Sequence, residues 1–356
     1  MRITYRYKFL LFINLFLVLT ILSPVSAEPQ HVGLKEAIKI ALEESLSLNA
    51  SELEVQDSRL ALSQTEAENL IKPNPASLLQ AKRNLEIAQR KFALERYNTV
   101  LSVEEAFYNV LKARDYVGLT EKVLELTEHQ LKSARSKFAA GMGTQSEIMD
   151  CVSRVAEARA SIVKAKGTYE LTLLNFRQTI GVSLDSLILP EDETFEYEEY
   201  LPDLERDIKL ALANRVEILQ LEAFVDAACT QVAISKNDYT PELVLQRSLI
   251  AAEKAKNGLK QLKYGIELEV RQAYLALDDL SHSLEAEMEN LATAEENLRI
   301  ARKLLEADMA TTDQVMAAEV GVEQVRINLR HTLYDYNLAK LKYNRAVTRL
   351  LFDEEA

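Results

Sequence analysis

Large apolar residues recur at every seventh position from Val103 through Val110, Val117, Leu124, Leu131 and Phe138. Three residues after each of the first five stand Ala106, Ala113, Thr120, Thr127 and Ala134, all small. A large/small heptad of this kind predicts a long helix that packs along one edge in a supercoil. The pattern returns 167 residues later as Val270, Leu277, Leu284, Leu291, Leu298 and Leu305. A second stripe, Ile148, Val155, Ile162, Tyr169 and Phe176, is matched at the same offset by Val315, Val322, Leu329, Tyr336 and Tyr343. Upstream, Leu34, Ile38, Lys39, Ala41 and Leu42 match Leu204, Ile208, Lys209, Ala211 and Leu212 at an offset of 170. The chain therefore reads as a tandem repeat, and the repeat is its strongest signal.

Proline placement sharpens the boundaries. Residues 76–189 and 242–356 contain none, so both can hold very long helices. Each repeat is expected to be three helices, over 34–71, 76–139 and 144–180, then 203–237, 242–307 and 311–352. Asn74-Pro75 and Thr240-Pro241 each offer an N-cap side chain before a proline at the first helical position. Thr144 with Glu147, and Thr311 with Gln314, fit the capping box. Gly141 suits a left-handed helix stop, and Asp308 stands at the equivalent position. A helix over 76–139 would run roughly 95 Å, so its apolar edge needs a hairpin partner and further subunits to cover it.

Composition supports an all-α reading without disorder. With nine glycines, seven prolines and no tryptophan among 356 residues, 48% of them apolar and 27% charged, the chain suits long helices. Its formal charge of −13 argues against a nucleic-acid partner, because phosphate binding needs a positive surface. Arg2, Arg6 and Lys8 before the apolar run Phe9–Leu22, then Val25-Ser26-Ala27, read as a cleaved export signal over 1–27. No other stretch is expected to reach membrane-spanning length. The expected organisation is a first helical repeat at 28–181, an irregular linker at 182–202 with seven acidic residues and no basic one, and a second repeat at 203–356. Cys151 and Cys229 can pair but need not. His31, His129, His282 and His331 follow no metal-ligand spacing, and no phosphate loop or nucleophile motif occurs, so neither an enzyme nor a cofactor is expected. Tyr169, Tyr336 and Tyr343 continue the packing stripe.

Several local motifs point to one family. Ala211-Leu212-Ala213-Asn214-Arg215-Val216-Glu217-Ile218 resembles the repeat opening of the TolC-like outer-membrane efflux family, with Val216 where proline is usual. Lys137 to Thr144, followed by Glu147-Ile148-Met149, is similar to that family's hairpin-tip pattern, and Leu173 to Phe176 with Ile180-Gly181 to its repeat ending. The resemblance covers residues 34–351. It implies a homotrimeric helical tunnel in the outer membrane and periplasm, a passive conduit for efflux or type I secretion that meets a periplasmic adaptor and an inner-membrane transporter. It further implies adaptor-facing tips at Gly141, Met142 and Thr144 with Asp308, Met309 and Thr311. Glu147 and Asp150, one helical turn apart, could form an acidic constriction, with Asp313 nearby. Helix capping by Glu147 and a favourable N-terminal charge at Asp150 explain the same residues without a gate. Members of the family place a β-hairpin between the first two helices of each repeat. Here Lys72–Pro75 and Asn237–Pro241 are too short for membrane strands, so the chain resembles the family in a form without its barrel. An exported coiled-coil scaffold with no lumen is the alternative reading.

Overall fold

The computed structural model describes residues 30–191 and 195–349; the expected export signal, part of the linker and the last residues of the expected final helix lie outside them. The fold is all-α. Helices α1 (Leu34–Glu44), α2 (Leu46–Ile71), α3 (Pro75–Ala139) and α4 (Gln145–Thr179) are followed by α5 (Leu204–Asn214), α6 (Val216–Ser235), α7 (Glu242–Glu306) and α8 (Thr312–Val347). The longest, α3 and α7, have 65 residues each and pack as antiparallel hairpins with α4 and α8.

The first helix of each half is two helices. Ser45 takes an extended conformation and its hydroxyl accepts the Leu48 N–H at 3.2 Å, which ends α1 and caps α2. The close approach of α1 to the end of α4 requires a glycine there: Gly181 has φ +80°, and a Cβ on it would lie 2.8 Å from Glu44 Cβ. At the corresponding break Arg215 is extended and buried, and its guanidinium pairs with Glu269 and Glu217. Arg90 donates to the freed Asn214 carbonyl at 2.7 Å. A local cap supports the first break, and tertiary partners support the second.

Other boundaries differ in detail. Asn74 caps α3 as expected, accepting from Ser77 N at 3.2 Å. Thr240 does not cap α7, which starts at Glu242 without a side-chain cap, because an Asn237 turn accepting the Tyr239 N–H at 2.9 Å shapes that corner. Helix α8 stops at Val347, where Thr348 turns left-handed at φ 61°. The linker is not wholly irregular: β2 (Ile188–Pro190) pairs in parallel with β1 (Gln30–Val32), Gln30 opposite Ile188. By length and composition α6 could cross a membrane, contrary to the expectation that no such stretch follows residue 27; its mean hydropathy is 1.2 over the best window. It packs along α7 and ties to its neighbours through Lys263–Glu222 and Arg83–Asp226.

Two apolar clusters sit at the same level of the two hairpins. One gathers Val103, Phe107, Tyr108, Val110 and Phe176; the other gathers Val270, Leu277, Leu284, Tyr336 and Tyr343. Helix α8 wedges between them, giving Tyr334 to the first and Tyr336 to the second, since residues two apart point to different sides of a helix. Tyr334 stacks on Tyr108 with ring centroids 4.9 Å apart and 7° between planes. Burial thins along the rods: Val103 is fully buried, whereas Phe138, on the same heptad stripe, is 45% exposed.

Candidate functional site

Both hairpin tips are built by the same turn. After α3, Gly141 donates to the Phe138 carbonyl and Met142 to the Lys137 carbonyl, each at 2.9 Å, with Gly141 at φ +73°. After α7, Asp308 donates to Leu305 at 3.0 Å and Met309 to Leu304 at 2.8 Å, with Asp308 at φ 57°. This is the Schellman stop, in which a left-handed residue lets the chain satisfy the last carbonyls. Both capping boxes then form: Glu147 N–H donates to the Thr144 hydroxyl at 3.3 Å and Thr144 N–H to the Glu147 carboxylate at 3.1 Å. Thr311 and Gln314 exchange bonds of 3.3 and 2.8 Å in the same way. Met142 and Met309 are left 77% and 75% exposed, one on each tip.

The three carboxylates expected near a constriction occupy three settings. Glu147 serves its cap and is exposed, and Asp150 is exposed one turn further along α4. Asp313, in the first turn of α8, lies against α3 with its Oδ1 2.6 Å from His129 Nδ1.

That last contact belongs to a polar seam between the two hairpins that the apolar heptads did not reveal. On α3 the residues Tyr108, Asp115, Lys122 and His129 are spaced by seven and all face α8. Asp115 Oδ2 lies 3.4 Å from both Arg330 Nε and His331 Nε2, with only 8% of its side chain exposed. Lys112 meets Asp335 at 2.6 Å and Lys122 meets Glu323 at 2.8 Å. The hydrogen bond from Lys122 holds the Glu323 carboxyl below its ordinary range. Nearer the corners, Tyr97 donates to the Leu341 carbonyl at 2.6 Å and Arg345 to Asn98 at 2.7 Å. Glu104, one heptad after Tyr97, is largely desolvated, and burial pushes its pKa up to about 7. The seven-residue spacing was visible in the sequence, but the partners lie some 180 to 250 residues away and carry no local signal.

Toward the tips, a groove of about 740 Å³ opens between α3, α7 and α8. Its charges largely pair across it, as Arg302 with Glu319 at 2.8 Å and Arg326 with Glu295 at 3.3 Å. Among the described residues no group of three or more His, Cys, Asp or Glu is placed to hold a metal. The site is one of surfaces and seams.

Comparison with known proteins gives consistent findings. The outer membrane efflux protein family pattern matches residues 72–182. The chain is 23% identical over 255 residues to the alkaline protease secretion protein AprF of Pseudomonas aeruginosa, covering 67% of this chain and 53% of that protein. It is 20% identical over 319 residues to the outer membrane protein TolC of Vibrio cholerae, covering 77% and 73%. The chain thus spans about half the length of the first of these relatives. The Campylobacter jejuni CmeC outer membrane channel superposes with a TM-score of 0.69 at 10% identity, over 88% of this chain and 85% of that one, which establishes the fold.

Proposed function

We infer from this chain, which is a relative of the TolC-like outer-membrane efflux proteins in a form with short corners in place of barrel hairpins, that its copies close into a helical export tunnel. One observation carries the reading. The α3/α8 seam buried inside the chain has counterparts, at the repeat offset, on the two outer flanks. Tyr97, Tyr108 and Asp115 on α3 correspond to Tyr264, Leu275 and His282 on α7; Arg330, Tyr334 and Leu341 on α8 correspond to Val163, Gly167 and Leu174 on α4. Tyr264, Leu275 and Val163 are 62%, 57% and 73% exposed, an unusual display of large apolar groups along a rod. Pairing α7 of one copy with α4 of the next would repeat the intrachain arrangement, and a head-to-tail contact of this kind closes into a ring when its rotation divides a full turn. We take that ring to hold three copies, as the family resemblance implies.

In this reading the protein is exported to the outer membrane and periplasm and conducts passively. The names of its relatives, one for alkaline protease secretion and one for pyoverdine export, support export of proteins or small molecules. The tips, Gly141, Met142 and Thr144 with Asp308, Met309 and Thr311, face a periplasmic adaptor coupled to an inner-membrane pump. Glu147 and Asp150 line the narrow end as an acidic, cation-favouring constriction, while Asp313 acts through His129 as a tie between hairpins. The helical repeats at 28–181 and 203–356 and the intervening linker are the units of assembly.

Cross-linking tests it. In a chain with Cys151 and Cys229 replaced by serine, L275C and G167C together should join copies through a short bis-maleimide and give a ladder that stops at three. Monomer only, or a ladder that climbs without limit, overturns the ring. A solid rather than hollow particle by negative-stain imaging would instead select the lumen-free scaffold. Cells lacking the protein, with no redundant homologue, should retain dyes or secreted proteins.

A further inference from the structure

We propose that the α3/α8 seam is a pH-operated latch, which holds the two hairpins of one chain together in acid and lets them part as the surroundings turn alkaline. The latch lies within one chain and needs no ring. The tunnel reading decides only what its opening does, which is to widen the tip end.

Three groups able to exchange a proton near neutral pH sit on this one interface. Toward the tips, His129 Nδ1 lies 2.6 Å from Asp313 Oδ1, and both side chains are partly shielded from water. With a neutral imidazole this is a hydrogen bond; a proton makes it an ion pair, and histidine is the side chain that takes up charge between about pH 5 and 8. The other charges around His129 are already balanced. Glu125 and Lys132 stand one turn to either side on α3, and Arg159 of α4 is held by Glu128 at 2.7 Å. Across the groove α7 brings Arg299 and Arg302, each tied to a glutamate, and the opposite charges Lys303 and Glu306.

Midway along the seam, His331 faces Asp115 beside Arg330. Glu105 and Lys112 of α3 line the adjoining groove, where α4 presents only Ala165, Thr168, Thr172 and Asn175. Asp335, one turn on in α8, is tied to Lys112. Because Arg330 shares the carboxylate, His331 adds less to the latch than His129. Nearer the corners, Glu104 follows Tyr97 by seven residues and precedes Tyr108 by four, and both tyrosines touch α8, so closing the seam shuts Glu104 in. Arg345 of α8 and Tyr200 of the linker act on Tyr97 beside it, while burial alone raises the Glu104 carboxyl to about 7.

The two ends of the seam respond in the same direction. A carboxyl whose pKa is raised by closure contributes its cohesion in full below about 4.5 and loses it as pH climbs through about 7. His129 pairs as a cation only while it carries its proton. Acid therefore tightens both ends, and alkali loosens both. Nor is the set a by-product of the repeat: Glu104, His129, His331 and Asp313 correspond to Arg271, Glu296, Lys164 and Ser146 on the outer flanks. The one histidine there, His282, is exposed beside Asp278 and Glu285 of its own helix. Within a ring, the seams inside each copy would answer to pH while those between copies would not.

Spin labels at the two tips test the latch. M142C and M309C are introduced together into the full chain with Cys151 and Cys229 replaced by serine, and the labelled protein is mixed with a large excess of unlabelled chain so that each measured distance lies within one copy. Pulsed electron resonance should give one narrow distance near about pH 5.5 and a second, longer population near about pH 8, the open-to-closed ratio rising by about tenfold or more. E104Q and H129Q, each uncharged at every pH, should each remove part of the rise, and the double variant all of it. A wild-type distance that ignores pH overturns the proposal, as does opening in acid. A rise left undiminished in both single variants also overturns it, whether or not the double variant folds. The cross-linking ladder reads contacts between copies and these labels read one copy, so failure of the latch and failure of the ring are distinguishable.

Discussion

Replacing Glu104 with glutamine should stabilise the protein, and only at the higher end of the pH range. Burial raises this carboxyl from an ordinary 4.5 to about 7, because the charged form loses water on the α3 face that carries Tyr97. A folded-state pKa above the unfolded one means that the native state holds its proton more tightly. Stability therefore falls as pH rises from about 4.5 to about 7 and stays at its reduced value above that. The gap of about 2.5, at about 1.36 kcal/mol for each, sets a ceiling of about 3 kcal/mol. Glu104 keeps some contact with solvent, so about 1–2 kcal/mol is the expected gain. Glutamine keeps the shape and removes the charge. Denaturant unfolding of both chains should coincide near pH 4 and separate steadily toward pH 8. A difference that is the same at every pH would show that Glu104 is not desolvated, and the seam geometry around it would be wrong.

Two further substitutions probe the tip and the seam. Asp308→Gly should stabilise the second tip by about 0.5–1 kcal/mol, since glycine occupies the left-handed region without a Cβ penalty; slower amide exchange over residues 305–311 checks it, and Gly141→Asp should do the reverse at the first tip. Asp115→Ala should cost about 1–3 kcal/mol by leaving Arg330 and His331 facing each other without their carboxylate, read as a lower denaturant midpoint with an unchanged slope.

Helix length and tip chemistry were legible because they are local. A heptad stripe and a capping box are both complete within a few turns, and the structure forms both boxes at Thr144 and Thr311. The breaks at Ser45 and Arg215 were not legible. Neither is a glycine or proline, and the residues that stabilise them, Gly181 for one and Arg90 and Glu269 for the other, lie far along the chain. The seam was half legible. Asp115, Lys122 and His129 carry the right spacing, yet each alone reads as a solvated charge until α8 supplies Arg330, Glu323 and Asp313. A polar stripe gains meaning only from its partner.

The uneven burial of one repeating pattern is the most informative feature of the molecule. Val103 and Val110 are 0% and 1% exposed where both hairpins and the short helices meet, yet Phe138 keeps the same register and reaches 45%. Hydrophobic spacing maintained where a single chain cannot bury it implies that something else does, because exposed large side chains gain nothing from the register alone. In the proposed tunnel that cover, toward the tips, is more copies of the rod and then, at the exposed Met142 and Met309, the proposed partner; methionine is the apolar residue that adapts to a surface it does not shape. At the opposite end Leu70, Ile71, Tyr239 and Leu243 are exposed without keeping the register, so the seam that further copies of the rod would cover does not extend to them.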